Sequence, residues 1–262
     1  MMTSFRKYTP YVVPLFLGAS FFVAAKASRV VQPELRLLVL VALCGLTMVV
    51  VGGAAIIAAR AAGMSIRKAL HVALIPTIFS AGSFGLFTLV EHSLARYVVA
   101  VVAVGLLAAH FMSVLGMRGE SARYGIEEIN HLAFVLQVIA SFFCFSFAFG
   151  VSAFTTLPEP FIALATGLGV MLFVRETLWQ EGFSSSYSTM VSLAFGVLGM
   201  EFFFALSFLP TTWAVDAAVA LILLVSALHA TIRILKGVAL PRRQFMLTFF
   251  LTLLVLGTAR WT

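Results

Sequence analysis

Residues 188–209 read STMVSLAFGVLGMEFFFALSFL, and Glu201 is the only formal charge in the run. As a helix rising 1.5 Å per residue, such a run is about 33 Å long, enough to cross a hydrocarbon layer of about 30 Å. By the criterion of about 20 predominantly apolar residues per span, 35–59, 69–90, 97–117, 130–156, 160–178, 212–235 and 244–260 are read as spans too. Short connections marked by Pro158, Pro160, Pro210 and Pro241, and by the charged turn from Arg118 to Glu128, separate them. No connection is long enough for a soluble domain, so any chemistry takes place in or at a bilayer.

Composition agrees. The 262 residues are 62% hydrophobic and 10% charged, with a mean hydropathy of +1.09. A soluble domain has about 25% charged and about 45–50% apolar residues, so this chain has too little polar surface to cover itself in water. Soluble enzymes, disordered chains and disulfide-stapled secreted domains are excluded. The two cysteines, Cys44 and Cys144, lie in apolar runs without metal or redox spacing.

The N-terminus has two readings. Arg6 and Lys7 precede an apolar run from Tyr11 to Ala25, followed by Ala25-Lys26-Ala27-Ser28. A basic start, a short apolar run and a small-residue site describe a cleavable signal peptide. The same run, with Pro14 and Gly18 inside, also serves as a short first transmembrane helix, and this reading is preferred for residues 1–27. The fold expected is all-α: a polytopic transmembrane helical bundle of about nine helices, eight if residues 1–27 are removed. It is read as a single integral membrane domain over 1–262.

Charge orients the bundle. With the N-terminus inside and nine helices, the cytoplasmic side holds Arg6, Lys7, Arg60, Arg67, Lys68, Arg118, Arg123, Arg175, Arg233, Lys236, Arg242 and Arg243, most of the 17 basic residues. The turns around Pro158 and Pro210 carry none, as outside turns should. The exception is the group Lys26, Arg29 and Arg36, which falls outside with Arg96 and Arg260. The expected setting is the cell membrane, with the N-terminus cytoplasmic if uncleaved and the C-terminus outside. The net charge of +7 follows from loop bias, and without a block of basic residues it implies no nucleic-acid partner.

Ionisable groups deep in a bilayer are costly, which makes them functional candidates. His71, His131, Arg175, Glu176 and Arg233 lie near cytoplasmic helix ends, where side chains snorkel to the interface. Glu201 is deeper than any of them. His110, His229 and Gln137 sit at intermediate depth, and with Glu201 they form the candidate intramembrane polar site. Gly105, Ala109 and Ser113, spaced by four, are expected to let another helix approach close to His110. His229 and Arg233 share a helix face. Pro76, Ser80, Gly82 and Ser83 mark a candidate helix break, the kind of feature at which transporters place substrates.

Other motifs fall short of a chemistry. Glu127, Glu128 and His131 make one Glu-x-x-His, whereas a di-metal bundle needs two plus further glutamates. Gly182-Phe-Ser-Ser-Ser186 lacks the second glycine of a nucleophile elbow. None of the four lysines is mid-membrane, and no Walker A loop, HExxH or GxGxxG is present. No catalytic residue, metal ligand or cofactor is therefore assigned, and an enzyme is disfavoured. The expectation is a multi-pass integral membrane protein without a catalytic signature, serving as a subunit or scaffold of a membrane assembly. Its partners would be the lipid bilayer and either another membrane protein or a second copy of itself. The alternative is a secondary transporter of a small solute working through the Glu/His site.

Overall fold

The computed structural model describes residues 2–30, 32–116, 122–239 and 242–258. The described residues form nine α-helices and no strand: α1 Met2–Val30, α2 Pro33–Ala61, α3 Ile66–Leu89, α4 Ser93–Gly116, α5 Ala122–Phe154, α6 Glu159–Gln180, α7 Ser185–Ser207, α8 Trp213–Leu235 and α9 Arg242–Thr258. Eight are long and apolar enough to cross a membrane, including Tyr8–Ala27 of α1. This is the multi-pass helical membrane bundle expected. The ninth expected span, 244–260, corresponds to α9, whose described apolar part, Met246–Gly257, is shorter than the other eight.

Helix ends follow local chemistry. After α2, Gly63 takes φ +91°, and the amides of Gly63 and Met64 return to the carbonyls of Arg60 and Ala59. This left-handed cap satisfies carbonyls that a helix end leaves open, and glycine adopts it without a Cβ penalty. Gly182 after α6 and Gly237 after α8 repeat the pattern. Proline marks starts instead: Pro33 opens α2, and Pro158 is the N-cap of α6. A proline at a helix start loses no intrahelical bond.

The chain forms two compact units, Met1–Ala140 and Ser141–Thr262, with the boundary inside α5. In the first, α1 packs on α2 and α4, and α3 packs on α2 and α4. The buried face of α1 runs through Val13, Leu17, Phe21, Ala24 and Ala27, the 3.6-residue spacing of an amphipathic helix. Phe21 stacks on Phe87 of α3, with centroids 4.7 Å apart. Between α2 and α3 the backbones are close: a Cβ on Gly52 would stand 2.8 Å from the Thr77 hydroxyl.

In the second unit, α6 and α7 form a tight hairpin. Gly167 of α6 faces Gly196 and Met200 of α7, and Gly199 faces Val170. Phe149 of α5 stacks on Phe203 of α7 at 4.9 Å. Helix α8 packs on α7 and α9, and Thr248 of α9 donates to the Ser226 hydroxyl of α8 at 2.9 Å. Small residues at such contacts are how helices associate where lipid is as apolar as the side chains.

Candidate functional site

The candidate polar residues are divided between the units. His110 and Gln137 belong to the first, Glu201 and His229 to the second. His110 lies on the buried face of α4 with Leu107, Phe111 and Val114, and only 3% of it is accessible. Its Nε2 has no hydrogen-bond partner among the described residues. Gln137 of α5 is equally buried. The side chains of Glu127, Glu128 and His131 lie outside the described residues. Among the described residues, no group of three His, Cys, Asp or Glu side chains is placed to hold a metal ion.

At Gly105 the stripe expected beside His110 makes no close helix contact. Gly105 is exposed, and a Cβ built on it meets nothing within 4 Å. The close approaches lie at Gly52, Gly167, Gly196 and Gly199 instead. Spacing by four says that residues share a face, but not what that face meets.

Helix α3 is continuous from Ile66 to Leu89 with Pro76 inside it, and Pro76, Ser80, Gly82 and Ser83 lie on its buried face. The hydroxyls here serve their own helix. Thr77 donates to the Ala73 carbonyl at 2.7 Å, Ser80 to that of Pro76 at 2.7 Å, and Ser83 to that of Ser80 at 3.0 Å. Hydroxyls bound back to the preceding turn are the usual way polar side chains are satisfied in lipid.

Glu201 stands on the outward face of α7. The inward face is Ser188, Ser192, Phe195, Gly196, Gly199, Phe203 and Leu206. Glu201 lies two residues past Gly199, about 200° around at 100° per residue. Its neighbours on the exposed side are Leu193, Ala194, Val197, Leu198, Ala205 and Phe208, so the carboxylate interrupts an otherwise apolar stripe. It lies six residues before the end of α7 at Ser207, about 9 Å inside the helix. His229, also exposed, is six residues before the end of α8.

Those two helix ends are opposite. Glu181, just past α6, pairs with Lys236, just past α8, which puts the end of α8 beside the start of α7. From that end Glu201 is sixteen residues up α7 and His229 six residues down α8. The rise of 1.5 Å per residue then sets them about 15 Å apart in depth, beyond any shared hydrogen bond.

Two buried carboxylates were not singled out by sequence reasoning. Glu176, expected to snorkel, is 3% accessible and accepts a 3.5 Å hydrogen bond from Gln180. It shares the buried face of α6 with Phe173, Val174, Thr177 and Leu178, whereas neighbouring Arg175 is exposed. One residue's shift rotates a side chain 100° around a helix, so two adjacent charges near an end can have opposite fates. Asp216 is buried in the first turn of α8 and accepts from the Thr211 hydroxyl. A first-turn acid is favoured there by the helix dipole. The signal available in sequence was Thr211 and Thr212 shortly before an acidic first turn.

No family model, no curated protein and no solved structure matches this chain.

Proposed function

We propose that this chain is a membrane-embedded subunit whose outward α7 face, centred on Glu201, is covered within the bilayer by a protein partner or a second copy. The observation that carries this reading is the exposure of Glu201 amid Leu193, Val197 and Leu198. Intramembrane carboxylates almost always face protein or a wet cavity, because in hydrocarbon they find neither solvent nor a donor. A helix supplying a Ser, Asn, His or Lys at that depth satisfies Glu201 and buries the apolar stripe at once.

The reading places the chain in the cell membrane with its N-terminus cytoplasmic and α1 retained. Retention is supported by the α1 residues built into the first unit's core. The Glu181–Lys236 pair joins two ends that the charge count assigns to the same, cytoplasmic side. A transport path through Glu201, His110, His229 and the Pro76 region has less support. The α3 hydroxyls are spent on their own helix, and Glu201 and His229 lie at different depths.

The test is photo-crosslinking in native membranes from a probe at Val197, one turn from Glu201. The expected result is a discrete adduct of higher mass, retained in Glu201→Gln and reduced several-fold in Glu201→Leu. A chain that cross-links only to lipid and runs as a monomer on native gels refutes the reading. So does modification of Glu201→Cys, with Cys44 and Cys144 replaced, by a membrane-impermeant thiol reagent, which would indicate the water path of a transporter.

A further inference from the structure

The end of the first unit where α1 and α3 finish and α2 and α4 begin carries an inference independent of Glu201. Lys26 and Arg29 stand near the end of α1, Arg36 in the first turn of α2, and Arg96 in the first turn of α4. Glu34 and Glu91 are the only acids in the same segments, so cations are in excess. This is also the group that breaks the loop-charge bias, so orientation does not explain it.

All four helices meet here around a cavity of about 20 Å³, lined by Ala24, Ala25, Leu40, Phe87, Thr88 and Arg96. A space of that size holds one water, so a larger anion would sit at its mouth. Arg96 is braced from two sides. Its Nε donates to the Val90 carbonyl at the end of α3, and its guanidinium lies 5.9 Å from the centroid of the Phe87 ring. Lys26, one residue beyond Ala25, holds its ammonium 5.2 Å from the centroid of the Phe22 ring. Neither cation is paired with a carboxylate among the described residues, in contrast to Lys236 with Glu181.

A guanidinium held through Nε keeps its two outer nitrogens as a fork, the geometry that receives phosphate oxygens, and an ammonium adds a point charge. Exposed apolar side chains continue from this end along the same helices: Phe22 and Val23 on α1, Leu38 and Val41 on α2, Val98 and Val101 on α4. Cations at the headgroup level above apolar helix faces are the arrangement that takes an anionic lipid. We propose that Arg96 and Lys26 form a phosphate-binding site at this end of the first unit, with the headgroup of an anionic phospholipid as its ligand.

The full-length protein in detergent is tested by native mass spectrometry after addition of phosphatidylglycerol or phosphatidylcholine. Thermal shift in sodium phosphate, against sodium chloride at equal ionic strength, provides the arm for free anion. Preferential retention of phosphatidylglycerol is expected, about fivefold weaker for each cation removed in Arg96→Gln and Lys26→Gln, and intermediate in Arg96→Lys, which keeps the charge but loses the fork. Stabilisation by inorganic phosphate that Arg96→Gln abolishes, without lipid preference, supports the phosphate site with free anion as its source. Lys26 is exposed, so Lys26→Gln keeps the test readable if the Arg96 variant folds poorly. Equal retention of both lipids with no phosphate effect overturns the proposal. An equal loss in Lys68→Gln, at the opposite end of the same unit, also overturns it.

Discussion

Replacing Gly167 by alanine should loosen the α6–α7 hairpin, and the structure sets the size of the effect. A Cβ at position 167 would stand 2.5 Å from the Met200 Cγ and 2.7 Å from the Gly196 carbonyl oxygen. Close carbon–oxygen contacts settle at about 3.3 Å or more, so the helices must part by roughly 0.6 Å. Met200 can change rotamer, but the carbonyl belongs to the α7 backbone and can only move with its helix. A gap of about 0.5–1 Å forfeits a quarter to a half of each dispersion contact along the seam. Overpacking of this kind costs about 1–3 kcal/mol. The seam also carries Gly199 against Val170, so the upper half of that range is expected. Gly105→Ala is the matched control, because nothing lies within 4 Å of its Cβ. There the gain in helix propensity, up to about 1 kcal/mol, is unopposed. Thermal unfolding of the two purified variants in one detergent, followed by circular dichroism, should give shifts of opposite sign. A Gly167→Ala protein as stable as the parent, or a Gly105→Ala protein equally damaged, would refute the reasoning.

Three further outcomes follow from single contacts. Thr211→Val leaves the buried Asp216 carboxyl without the hydroxyl that donates to it and should destabilise by about 1–3 kcal/mol; no change in unfolding midpoint would mean that another donor serves it. His110→Leu removes a buried ring whose Nε2 has no partner among the described residues. It should be neutral or stabilising by up to about 1–2 kcal/mol, whereas a clear loss in the same unfolding assay would point to a bound partner. Glu181→Gln breaks an exposed ion pair with Lys236 and should change stability by at most about 1 kcal/mol, an effect that should shrink further at high salt.

The positions of the helices were legible because crossing a bilayer demands length and apolarity together, and both are local properties of a chain. The run 212–235 became Trp213–Leu235, and 160–178 became Glu159–Gln180. The fifth helix was the least well bounded: the span expected at 130–156 begins at Ala122, because a helix continues past the membrane wherever propensity allows. Side-chain surroundings were less legible. Glycines 105 and 167 look alike in sequence, each among apolar residues, yet one meets open space and the other a backbone carbonyl. Arg175 and Glu176 are adjacent, and only the rotation of α6 against its neighbours exposes one and buries the other.

The sequence by itself determined that the chain is a multi-pass helical membrane protein, and it singled out Glu201 as the charge that loops and helix ends do not explain. Those conclusions rest on transfer free energy and helix rise, which depend on composition and length alone. Tertiary structure decided which way each polar group faces. It turned Glu201 outward, buried His110, Glu176 and Asp216, kept α3 helical through Pro76, and brought α1, α2, α3 and α4 together around the cavity that Arg96 lines. A helix face becomes interior or exterior only when another helix covers it, and that choice is made by contacts between residues far apart in the chain.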